Sequence, residues 1–171
     1  DNFYFYNNLL KEIKDSGLED KDLWKSWHGD SHWIADDKKN WKKSCPTFNS
    51  VLDKLQKYFK MDIKATRLNL YSDSSEWKPF HHDAAAVKPD KAKTQNLTVA
   101  VSFGAERDAA FEHAKTKTVI SLPQPNGCIY TFGKDVNIIW KHGILQVPEE
   151  KQHDKSRISI IAWGWHEQPE M

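Results

Sequence analysis

The chain has 171 residues, the size of one ordinary domain and enough to bury a core without disulfide or metal staples. Its 25 basic and 24 acidic residues leave a net charge of +1, which excludes a bulk attraction to nucleic acid or membrane and leaves only local patches. Cys45 and Cys128 lie far apart and form no CxxC pair, which fits two separate thiols in a reducing cytoplasmic or nuclear setting better than a disulfide framework.

No apolar run approaches the roughly 18 residues of a membrane helix, and the start DNFYFYNN has no basic segment before an apolar one. The chain opens on Asp1, which reads as a fragment or processed form, and a monomer is expected. Residues 1–64 read as a helical and irregular layer. In LLKEIKDSG, Leu9, Leu10 and Ile13 have helical spacing and Gly17 can supply the left-handed stop. In CPTFNSVLDKLQKYF, Pro46 suits a first turn, and Phe48, Val51, Leu52, Leu55 and Phe59 recur on one helical face. Beyond residue 64 the pattern changes to short strands: ATRLNLY, KPFHHD, LTVAVSFG, DAAFEHA, KTVISL, CIYTF, NIIWKHGILQV and RISIIAWGW. Eight such segments without a βαβ rhythm predict a mainly β fold with N-terminal helices, closed or sandwiched as a jelly roll. VKPDKAKTQ, residues 87–95, reads as a mobile loop, and no interdomain linker is evident, so 1–171 is expected to be a single domain.

Strand alternation carries the chemistry. In HHD, residues two apart share a face, so His81 and Asp83 can stand together while His82 points away. A histidine from a distant strand would complete a 2-His-1-carboxylate triad, which leaves coordination positions open and suits non-haem Fe(II) oxygenases. His142 in IIWKHG sits late in an apolar run, 59 positions after Asp83. A metal-free histidine–carboxylate pair is the alternative. In ATRLNLY, alternation places Arg67, Asn69 and Tyr71 on one face and Leu68 and Leu70 on the other. In RISIIAWGW it places Arg157, Ser159, Ile161, Trp163 and Trp165 together, with Arg157 either a bidentate carboxylate anchor or a rim salt bridge.

The ordered run NLY, HHD twelve positions after Asn69, SFGAERDAAFEH, GCIYTF, WKHGI and RISIIAW resembles the AlkB-like dioxygenases, especially their eukaryotic DNA- and RNA-repair branch, over residues 65–165. The resemblance implies a double-stranded β-helix (jelly-roll) catalytic core at 65–165, with 1–64 supplying a substrate lid. It implies Fe(II) on His81, Asp83 and His142, and 2-oxoglutarate contacted by Asn69, Tyr71 and Arg157, with Ser159 beside them. It also implies the reaction: dioxygen and 2-oxoglutarate yield succinate and carbon dioxide while a substrate C–H bond is hydroxylated. An N-methyl group treated this way is lost as formaldehyde, which is oxidative demethylation of N-alkylated nucleobases. Where the family has Arg-x-Asn-x-x-x-Arg this chain has Arg157, Ser159 and Trp163, so the second arginine is absent.

Several residues keep two readings. Arg107 and Asp108 are a charged pair at a strand turn or part of the pocket, and Trp77 walls the site mouth or covers the barrel end. Trp24, Trp27, Trp33 and Trp41 stack a flipped base or pack a helical layer, and His28, His32, His82, His113, His153 and His166 read as surface or core histidines. Residues 1–37 carry four lysines against nine acids, whereas 38–64 carry eight lysines against Asp53 and Asp62. Lys38, Lys39, Lys42 and Lys43 are therefore candidate phosphate contacts for single-stranded DNA or RNA, with Lys54 and Lys57 on a solvated helix face as the alternative. Two other functions stay open: hydroxylation of a protein side chain or small metabolite, and a catalytically silent jelly-roll binding module.

Overall fold

The computed structural model describes residues 2–16, 18, 20–27, 31–37 and 40–167. Gly17, His28, Lys38 and Lys39 lie outside the described residues. The elements in chain order are α1 (Tyr4–Asp15), α2 (Asp20–Leu23), β1 (Lys25–Trp27), β2 (His32–Ala35), α3 (Pro46–Phe59), β3 (Met61–Tyr71), β4 (Lys78–His81), α4 (Pro89–Ala92), β5 (Leu97–Gly104), β6 (Arg107–His113), β7 (Val119–Gln124), β8 (Ile129–Gly133), α5 (Lys134–Ile139), β9 (Trp140–Ile144) and β10 (Arg157–His166).

Two antiparallel sheets form a jelly roll. The larger has the order β1-β2-β3-β10-β5-β8 and the smaller β4-β9-β6-β7. Period-two alternation gives β10 two unlike faces. Ile158, Ile160 and Ala162 pack outward with Leu68 and Val99 against Leu9 and Ile13 of α1 and Phe48, Val51 and Leu55 of α3. That apolar layer carries the main core. The opposite face of β10 and β3 looks toward the smaller sheet, where Tyr71 meets Ala109 and Ile144. Arg157 pairs with Tyr71, Ser159 with Asn69 and Trp163 with Ala65, so the polar stripes of two distant segments become neighbours.

Three expectations change. The layer before residue 65 is not only helical: β1, β2 and the start of β3 extend the larger sheet across it. NIIWKHGILQV is not one strand, because Asp135 follows Gly133 at a helix N-terminus, where a carboxylate is favourable, and residues 134–139 coil before β9. Residues 87–95 contain a short helix with Pro89 in its first turn. Among the described residues, no helix is long and apolar enough to cross a membrane.

Candidate metal centre

His81 ends β4 and His142 lies directly opposite it on β9, so the two rings approach to 4.3 Å between centroids. Asp83 follows two residues later in extended backbone. Its Oδ1 lies 3.6 Å from His81 Nε2 and 3.2 Å from His142 Nε2. All three ligand atoms fall within 4.8 Å of one another. Adjacent ligand atoms on an ion with bonds of about 2.1 Å stand roughly 3 Å apart, so the spacing suits one cation.

The proton arrangement favours the same fit. His81 Nδ1 lies 2.8 Å from the Pro79 carbonyl, which can only accept, so Nδ1 carries the proton and Nε2 presents a lone pair. That lone pair faces a carboxylate oxygen, an acceptor against an acceptor, and a cation between them resolves the conflict. Burial holds His81 down at about 4, although Asp83 opposes the shift. Burial opposes ionisation of Asp83 too, but His142 and His81 outweigh it and hold the carboxyl well below its ordinary value. The free oxygen, Oδ2, accepts from Trp163 Nε1 at 3.0 Å and Thr98 Oγ1 at 3.3 Å. His82 points elsewhere, its Nδ1 lying 2.6 Å from the Asn137 carbonyl.

Behind the three ligand atoms lies a narrow cavity between the sheets, lined by Asn69, Tyr71, Lys78, Ser159 and Trp163 among others. Arg157, only 1% exposed, does not line the cavity itself but lies against one of its lining residues, its guanidinium carbon 5.1 Å from the Tyr71 ring. Nη2 donates to Ser102 at 2.7 Å, while Nε and Nη1 are buried without a partner. Two unanswered guanidinium donors fit a carboxylate, which is the donor set a 2-oxoglutarate site needs. Asn69 donates to Ser159 Oγ at 3.0 Å and accepts from His32 Nε2 at 3.2 Å.

No protein family matches the chain as a sequence. No curated protein matches it either. Solved structures do. That of OsALKBH1 superposes with a TM-score of 0.60 over 94% of this chain and 91% of its own, at 13% identity. A likeness at that identity is one of fold, and the fold is the AlkB-like jelly roll.

The remaining expected residues divide sharply. Arg107 is not a turn charge: it is 3% exposed, donates through Nη2 to the Glu76 and Leu145 carbonyls at 2.7 and 2.9 Å, and lies 5.6 Å from the Tyr71 ring. Its neighbour Asp108 instead accepts from Ser121. A separate surface groove, bordered by Asp36, Asp37, Arg67, His81 and Asp83, runs past the ligand atoms; Trp77 is half-buried and outside it, its amide bonded to the Ser31 carbonyl, whereas Trp27 lines it with its indole 5.1 Å from His81. Lys42 is ion-paired with Asp37 and donates to Thr66, and burial pulls its ammonium down to about 8, so it is not a free phosphate contact. Lys43 is exposed.

Three further residues complete the site, of which sequence reading named only His32, as a surface or core histidine. His32, on an unpredicted strand, stacks on Tyr71 at 4.8 Å and bonds Asn69. Asn137, on an unpredicted helix, accepts the Asp83 amide at 2.9 Å. Lys78 is buried in the cavity itself. The third is the one with a readable signal, a lysine three residues before His81 in a strand pattern.

Proposed function

We propose that this protein is an Fe(II)- and 2-oxoglutarate-dependent oxygenase that oxidatively demethylates N-alkylated nucleobases in DNA or RNA. The observation that carries the reading is the pairing of convergent His81, Asp83 and His142 ligand atoms with a buried, unanswered Arg157. His81, Asp83 and His142 would hold iron on three sides, leaving the cavity side free for cosubstrate and the groove side for substrate. Bound there, iron with 2-oxoglutarate and dioxygen supplies C–H hydroxylation, with succinate and carbon dioxide released. The chain's own residues do the rest. Arg157 meets the far carboxylate of the cosubstrate, Tyr71 and Ser159 flank it, and Trp163 and Thr98 hold Asp83 in its ligating pose. Trp27 offers a flat wall on the groove side, suited to stacking an extruded base.

A second reading is hydroxylation of a protein side chain or small metabolite. The groove's Asp36 and Asp37, with Lys42 engaged by Asp37, give it a mouth poorer in free cations than phosphate binding would want. Anaerobic loading with Fe(II) and 2-oxoglutarate, then oxygen and a substrate panel scored for succinate and formaldehyde, tests both. Formaldehyde from methylated oligonucleotides supports demethylation, and succinate coupled only to peptides or metabolites selects the second reading. Arg157→Ala should raise the 2-oxoglutarate requirement sharply, by a cost of roughly 2 to 5 kcal/mol, without releasing the metal.

A further inference from the structure

The cavity holds a charged group for which the reading above has no task. β4 and β9 pair at Lys78 with Ile144 and at His81 with His142, three steps on one strand against two on the other, so β4 carries a bulge. Plain alternation would send positions 78 and 81 to opposite faces; the bulge turns both inward. Lys78 accordingly lines the cavity with Asn69, Tyr71, Asp83 and His142 and is only 8% exposed. Its ammonium lies 5.0 Å over the Trp27 ring, and among the described residues no carboxylate lies within ion-pair distance of it.

Burying an ammonium without a counter-ion is costly, so an unanswered one in a cavity is a ligand signal. The wider charge count agrees. Among the described residues, the buried charged side chains are Lys78, Arg107 and Arg157 against Asp83 alone, an excess that a dianion would offset. Trp163 stands where the resembled family has its second arginine. Its indole N–H holds Asp83 Oδ2 as a neutral donor and brings no charge. Lys78 brings a positive charge to the same cavity from the opposite sheet.

Resting on the 2-oxoglutarate reading above, we propose that Lys78 is a second cosubstrate-binding cation, its ammonium donating to a carboxylate of 2-oxoglutarate and supplying the charge that Trp163 omits. The test is titration of 2-oxoglutarate into the Mn(II)-loaded full chain, followed calorimetrically, for wild type, Lys78→Met and Lys78→Gln, with Mn(II) affinity measured alongside. Both variants should weaken 2-oxoglutarate binding by at least about thirtyfold while Mn(II) affinity stays within about threefold. A variant that keeps Mn(II) and binds 2-oxoglutarate within about threefold of wild type overturns the proposal. So does loss of Mn(II) or of folding in both variants, which would assign Lys78 to the architecture. Absence of 2-oxoglutarate binding by wild type overturns the oxygenase reading itself, and the role of Lys78 with it.

Discussion

The two oxygens of Asp83 have different neighbours: Oδ1 faces both histidine Nε2 atoms, and Oδ2 is held by Trp163 and Thr98. Trp163→Phe keeps an aromatic ring beside Arg67, whose guanidinium carbon lies 5.5 Å from it, and removes only the N–H. Groups that orient metal ligands are typically worth 10- to 100-fold in metal affinity, so we expect Mn(II) binding to weaken by about that factor with little change in thermal stability. Calorimetry on the two proteins checks it. His32 supplies a pH prediction. Burial pulls it down to about 3, from an ordinary value near 6.5. A histidine depressed on folding contributes stability that is present above its unfolded value and is lost as pH falls toward its folded one. The metal-free protein should therefore lose stability between pH 6.5 and about 3, at up to about 1.4 kcal/mol per pH unit for this group. His81, held at about 4, adds to the upper part of this window, whereas the depressed Asp83 stabilises the fold above its ordinary value near 3.8 and loses that contribution only below it. His32→Gln removes one titration and keeps an amide donor for Asn69, so its urea-unfolding free energy should fall less steeply with pH. An unchanged slope would place the acid sensitivity elsewhere.

At the scale of elements, the β4 bulge does most to shape the cavity, and Gly143 is what lets β9 approach it. A Cβ at Gly143 would stand 2.5 Å from the Lys78 carbonyl oxygen and 3.0 Å from the Pro79 carbonyl. Those are backbone atoms, which cannot swing aside. Gly143→Ala should therefore push β4 from β9, costing about 1 to 3 kcal/mol in overpacking and separating His81 from its partner His142. A lowered urea midpoint with weakened Mn(II) binding is the expected pair of results; a normal midpoint would mean that the strands adjust without strain. The helix α5 acts from the other side. Its Asn137 takes the Asp83 amide and its backbone carbonyl meets His82, fixing the turn that follows β4.

At the scale of the whole molecule, the described part of the basic stretch at 38–64, which leaves out Lys38 and Lys39, does not line the cavity. The helix α3, with Lys54 and Lys57, packs on the outer face of the larger sheet, while the cavity opens on the inner face. Lys54 lies over the Phe5 ring and Lys42 is held by Asp37 and Thr66. Lys42→Gln should consequently lower thermal stability and leave the salt dependence of oligonucleotide binding unchanged. Lys43→Gln should do the reverse, reducing the slope of log affinity against log salt by somewhat less than one, as expected for one lost phosphate contact. Fluorescence anisotropy with a methylated single-stranded oligonucleotide at several salt concentrations separates the two. Equal slopes in all three proteins would remove this face from nucleic-acid binding.

Local periodicity alone determined the second half of the helix at 4–15, the helix at 46–59, most of the strands, and the inward stripes Asn69–Tyr71 and Arg157–Ser159. It could do so because alternation along one strand is a property of consecutive residues. The HHD motif was legible for the same reason. What only the tertiary structure decided involves groups that no local rule connects. Pairing between β4 and β9 sets His81 against His142 and creates the bulge that turns Lys78 inward. Adding β2 to the edge of the larger sheet brings His32 onto Asn69 and Tyr71. Burial likewise takes Arg107 out of solvent, and Asp37 engages the half-buried Lys42. Register, bulges and burial arise from long-range contacts, so a lysine in a strand reads as a surface charge until its partner strand is known.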